Sequence, residues 1–102
     1  EGELLLLIEI PYENIWFAAQ GEELKTALEV TLEIFDASQN KVREETRSYP
    51  LALNKEKFKD VMGKNYEIQI LIRLEPGHDS ATVTLKNLTG QSQAKKRIKL
   101  TV

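Results

Sequence analysis

From residue 24 to residue 35 the chain alternates without a break. Leu24, Thr26, Leu28, Val30, Leu32 and Ile34 fall on one side, and Lys25, Ala27, Glu29, Thr31, Glu33 and Phe35 on the other. A period of two is the signature of a strand with one buried and one wetter face. The run is longer than the usual ~5–6 residues of a strand, so a bend or bulge is expected within it. A second such run spans 66–74, with Tyr66, Ile68, Ile70, Ile72 and Leu74 opposed to Glu67, Gln69, Leu71 and Arg73. A third sets Ala81, Val83 and Leu85 against Thr82, Thr84 and Lys86. Pro76-Gly77 separates the last two. Proline presets φ and glycine accepts a positive one, so the chain bends there and crosses from one sheet to another.

The remaining segments read less cleanly. Residues 4–10 form a strand ending before Pro11, and both of its faces are apolar: Leu4, Leu6, Ile8 and Ile10 on one, Leu5 and Leu7 with Glu9 on the other. Residues 11–14 signal a turn, 15–17 a short strand or bulge, and 20–23 a loop. Residues 36–41 make a hairpin loop. The polar strand 42–49 then closes at Pro50, and its charge suggests a sheet edge. Asn54 can cap a short helix over 55–62, with Phe58, Val61 and Met62 on one helical face and Gly63 ending it. A last strand carries Ile98, Leu100 and Val102.

About seven hairpin-spaced strands and one short helix indicate an all-β fold, an immunoglobulin-like or fibronectin-like β-sandwich of antiparallel strands. The expected core is Leu6, Ile8, Leu28, Val30, Leu32, Ile68, Ile70, Ile72, Val83, Leu85, Ile98 and Leu100. With 102 residues the chain is long enough for one domain, spanning 1–102. It begins with Glu1-Gly2, which suggests a fragment of a larger protein.

Composition narrows the function classes. A net charge of −2 argues against nucleic acid as a main partner, because phosphate binding needs concentrated positive charge. The one basic run, Lys95-Lys96-Arg97 with Lys99, reads as a solvated edge strand that lysine guards against aggregation. The absence of cysteine excludes disulfides, thiol catalysis and thiolate metal sites. No apolar run is long enough for a membrane span.

Candidate chemistry is sparse. His78 is the single histidine and lies beside Asp79, with no nucleophile near it in sequence. Asp36, Asp60 and Asp79 lack calcium-loop spacing. Glu22-Glu23 and Glu44-Glu45 point to opposite faces and cannot converge. The expectation is therefore no catalytic residue, no metal and no cofactor. Asn87-Leu88-Thr89 matches a glycosylation sequon, a pattern common by chance. Tyr12 and Trp16 form a candidate platform for a sugar or peptide, against the alternative that Trp16 caps the end of the core.

Three segments together carry a more specific likeness: Ile8-Glu9-Ile10-Pro11-Tyr12-Glu13-Asn14-Ile15-Trp16-Phe17, then Leu28 through Asp36, then Leu74-Glu75-Pro76-Gly77 through Leu85-Lys86-Asn87. Their order resembles the β-sandwich regions of bacterial GWxTD-domain proteins. The Gly-Trp-x-Thr-Asp signature itself is absent, so the likeness is to a neighbouring module. Asp79 stands where that pattern places a tyrosine. The resemblance implies an exported bacterial protein, periplasmic, extracellular or on the cell surface, and supplies no active site.

The expected function is a non-catalytic interaction or spacer module. The alternatives are a carbohydrate- or peptide-binding module, or an accessory domain of an enzyme in the same chain. If the first strand shares a sheet with 24–35 and 66–74, then Leu5, Leu7, Ala27 and Leu71, with Phe35 at the end, make an apolar outer face. Such a face marks a contact with an adjacent domain or another protein, or weakly with a second copy.

Overall fold

A computed structural model describes residues 2–100. The elements, in order, are strand β1 (Gly2–Pro11), a 3₁₀ turn at Tyr12–Asn14, and strands β2 (Ala18–Gln20), β3 (Glu23–Asp36) and β4 (Lys41–Asn54). A 3₁₀ turn (Lys55–Lys57) and helix α1 (Phe58–Val61) follow, then β5 (Asn65–Leu74), β6 (His78–Asn87) and β7 (Ser92–Lys99). The strands are antiparallel and form two sheets. One holds β1 and β5 alone. In the other, β3 pairs with β4 on one side and with both β2 and β6 on the other, and β7 lies outside β6.

The inner faces are the alternating rows of the sequence. Leu28, Val30, Leu32 and Ile34 on β3 face Ile68, Ile70, Ile72 and Leu74 on β5, and all eight are almost fully buried. Ile10, Ile15, Ala81 and Leu100 complete the buried core. Leu6, Ile8, Val83, Leu85 and Ile98, expected in the core, pack against it yet stay only partly buried. The cause is the mismatch of layers: β1 and β5 cover the middle of the larger sheet and leave its β7 side uncovered. Val102 lies outside the described residues.

β1 is not in the sheet of β3. It pairs along its full length with β5, in register from Gly2 opposite Leu74 to Pro11 opposite Asn65. The expected single outer face is thereby split between two sheets. Beyond Pro11 the chain makes a 3₁₀ turn, and the short strand that follows is Ala18–Gln20, three residues later than expected. The Pro-Gly turn behaves as expected. Gly77 adopts φ +98, the His78 amide donates to the Glu75 carbonyl at 3.1 Å, and the chain passes from β5 to β6 in the other sheet. The expected bulge in the long strand falls at its end, where pairing slips at Ile34–Phe35 against β4 and at Phe35–Asp36 against β6.

Pro50 does not end β4, which runs on to Asn54. The register explains its tolerance. Pro50 lies opposite Ala27, whose carbonyl accepts from Leu88 on the other side of β3. Ala27 and Pro50 are thus a non-hydrogen-bonded pair, and the proline nitrogen faces away from β3 on an edge strand.

The helical segment is capped by Asn54, whose side chain accepts from the Glu56 amide at 2.8 Å. Phe58 packs edge-to-face on Phe17, with centroids 6.1 Å apart. Met62, expected to pack with Phe58, lies past the end of α1 in extended backbone and is exposed. Gly63 follows with φ +82.

Candidate functional site

The outer face of the β1–β5 sheet is built by alternation. Because Leu4, Leu6 and Ile8 turn inward, Leu5 and Leu7 turn out. On β5, Ile70 and Ile72 turn inward and Leu71 turns out, directly opposite Leu5. Leu5 is 58%, Leu7 49% and Leu71 57% exposed. Three leucines this open on one face are a cluster and not the scattered apolar residues of an ordinary surface. Glu3 and Glu9 flank the leucines of β1 on that face.

Ala27 and Phe35 lie elsewhere, on the outer face of the five-stranded sheet. Ala27 is partly covered there. The Phe35 ring carries the Arg97 guanidinium 5.7 Å from its centroid, a cation–π contact on an otherwise polar face. Arg97 also donates to Ser80 Oγ at 3.2 Å and to Gln39.

Tyr12 and Trp16 do not converge. The Tyr12 ring meets Tyr66 edge-to-face at 6.1 Å, and burial, followed by the proximity of Tyr12 and Tyr49, holds the Tyr66 phenol above its ordinary range. Trp16 is 62% exposed and lies over the Gly90 turn, where a Cβ would come within 3.2 Å of the indole Cγ. With φ +81 as well, any other residue at position 90 is strained and must displace the indole by a few tenths of an ångström.

Asn87 holds this corner together. Its Oδ1 accepts from the Trp16 amide at 2.7 Å, and its Nδ2 donates to the Trp16 carbonyl at 3.2 Å and to Thr26 Oγ1 at 3.0 Å. Thr26 in turn donates to Thr89 Oγ1 at 2.8 Å. The sequon asparagine is thus a buried bracket whose amide is fully engaged. Sequence reading missed it because an Asx side chain at a strand end looks like a turn former.

His78 is used by its own turn, with Nδ1 accepting from the Glu75 amide at 3.1 Å. Asp79 accepts from Lys99 Nζ at 2.8 Å. Among the described residues no group of three or more histidine, aspartate or glutamate side chains could hold a metal ion. No helix among them is long and apolar enough to cross a membrane.

The remaining feature lies between the layers. A groove of about 320 Å³ separates β1 from β7, lined by Leu6, Ile8, Val83, Leu85, Ile98 and Lys96 among others. It continues past Ile10 toward Asn87 and Ser92. Lys96 is opposite Val83 and therefore on the inner face of its sheet, in the same row as Ile98. That placement was legible from the shared parity of Lys96, Ile98 and Leu100; the uncovered floor beneath it was not.

No family model, curated protein or solved structure matches this chain.

Proposed function

We propose that the domain is an immunoglobulin-like, non-catalytic module that docks onto another protein or domain through the outer face of the β1–β5 sheet. The single observation that carries the reading is the exposed set Leu5, Leu7 and Leu71 on adjacent strands. Burying them against a partner removes apolar surface from water at about 25 cal/mol per Å². The immunoglobulin-like reading is supported by strand order: a β4-β3-β6-β7 ladder over a β1-β5 pair follows the C′-C-F-G and B-E arrangement of such sandwiches. The likeness of three segments to GWxTD-domain proteins supports placing the module in a larger exported bacterial protein.

The test is Leu5→Lys together with Leu7→Lys. The docking reading expects a fully folded variant with self-association or partner binding lost. Unfolding of the variant would mean that these leucines belong to the core, and the reading would fail. A second reading has one observation in its favour: Trp16 is open to solvent and lies over the Gly90 turn, leaving a ring face on which a sugar could stack. A shift of Trp16 fluorescence on titration with glycans would support it, and an unchanged spectrum would remove it.

A further inference from the structure

Two kinds of unmet demand meet along the β7 side of β1. The first is in the backbone. The Tyr12 amide donates to Lys64, which continues the register of Ile10 with Tyr66, so even-numbered residues of β1 bond to β5. Arg43 confirms the phase from the far side, since it reaches the Arg73 carbonyl at the outer edge of β5, opposite Glu3. By alternation Glu3, Leu5, Leu7 and Glu9 turn their N–H and C=O groups to the other edge of β1, where no strand is paired among the described residues. The second demand is apolar. Leu6, Ile8, Val83, Leu85 and Ile98 face inward along the groove and remain half-covered.

We infer that this edge accepts an extended segment of a partner polypeptide, which adds as a strand to β1 and lays alternate apolar side chains into the groove. The inference rests on reading the domain as a protein-interaction module. Strand addition satisfies both demands with one geometry, main-chain bonds for affinity and side-chain pockets for specificity. The other sheet edges are guarded: β2 is only three residues long, and β4 carries Lys41, Arg43, Glu44, Glu45, Arg47 and Pro50. β7 carries Lys95, Arg97 and Lys99 on its outer face, and the edge of β5 is capped at Arg73 by Arg43. β1 instead presents four consecutive leucines.

Charge selects the segment. Lys96 lines the groove on the inner face of β7, with Lys95 and Glu9 at its rim, and no carboxylate pairs with it among the described residues. A fitting strand therefore carries one acid among its inward apolar positions. A second copy of β1 does not fit, because its inward residues Leu4, Leu6, Ile8 and Ile10 include no acid. In the register centred on Leu6 it would also oppose Glu3 to Glu9.

The probes are blocked nine-residue peptides with valine at alternate positions and threonine between, the central valine kept or replaced by glutamate or lysine. Amide hydrogen exchange and NMR titration of the 102-residue chain read the site. Saturation with the glutamate peptide is expected to slow the Leu5 and Leu7 amides about tenfold or more. It should bind about fivefold tighter than the lysine peptide, as one partly exposed ion pair allows. Lys96→Glu, a substitution on an open strand, should reverse that order. Leu7→Pro removes an edge N–H without touching the β5 ladder and should abolish binding, whereas Ser48→Lys, exposed on β4 of the other sheet, should leave it unchanged. Protection appearing on β7 amides, an order of peptides indifferent to Lys96→Glu, or a dimer in which the free chain already protects Leu5 and Leu7 would each overturn the inference. Absent peptide binding, with self-association still lost in the Leu5→Lys and Leu7→Lys double variant, would overturn strand addition while the docking face stands.

Discussion

The two long sides of this sandwich face the same problem and treat it differently. The small sheet is narrower than the large one, so β4 and β7 both overhang it. On the β4 side the overhang is charged and self-contained. Arg43, Glu45 and Arg47 lie on the inner face opposite Ile34, Leu32 and Val30. Glu45 accepts from Arg43 at 2.6 Å and from Arg47 at 2.9 Å, and Arg43 also caps the Arg73 carbonyl across the gap. The hydrogen bond from Arg43, joined by Arg47 and opposed by burial, holds the Glu45 carboxyl below its ordinary range. On the β7 side the overhang is largely apolar, with Lys96 on a floor of aliphatic side chains and in no ion pair among the described residues. An overhang can be closed by its own charges or left open, and this molecule does one on each side.

The comparison is tested first in the shared centre and on the open side. Leu32→Ala, at a site 2% exposed, should cost about 2–5 kcal/mol in chemical denaturation. Leu85→Ala, on the uncovered floor, should cost clearly less, because solvent already reaches the site. Equal losses would erase the distinction between covered and uncovered rows.

Next in size is the corner that anchors Trp16. Asn87→Ala strips the Trp16 amide and carbonyl and Thr26 Oγ1 of a shared partner, and should cost about 1–3 kcal/mol with a shift in Trp16 emission. An unshifted spectrum at full stability would mean that the bracket is dispensable.

The closed side is worth least. Glu45→Gln should cost no more than about 1 kcal/mol, as partly exposed ion pairs do. Its pH dependence has a definite sign. The folded-state pKa is depressed, so the contribution is present above the unfolded value near 4.5 and is lost as pH falls below it, through the folded value. The stability gap between wild type and Glu45→Gln should therefore close below that pH. A gap that widened on acidification would contradict the assignment.

Much of this was legible in the chain. The alternation at 24–35 and 66–74 located both halves of the buried core, and the Pro76-Gly77 turn located the crossing between sheets. The split of the leucine face was not legible, because alternation assigns a residue to one of two faces but never says which sheet the strand joins. Leu5 and Leu71 share a face since their strands pair; Ala27 and Phe35 have the same parity and lie in the other sheet. Pro50 misled for a related reason. Whether proline ends a strand depends on which way its nitrogen points, and that is a property of the partner strand.

The openness of β1 is the point on which the account turns, and native-state hydrogen exchange on the free chain reads it directly. The amides of Leu6 and Ile8, bonded to β5, should be strongly protected, while those of Leu5 and Leu7, facing the open edge, should exchange much faster, giving an odd-even sawtooth along the strand. Uniform protection from Leu4 to Ile10 would show that the edge is already paired, and would contradict the account.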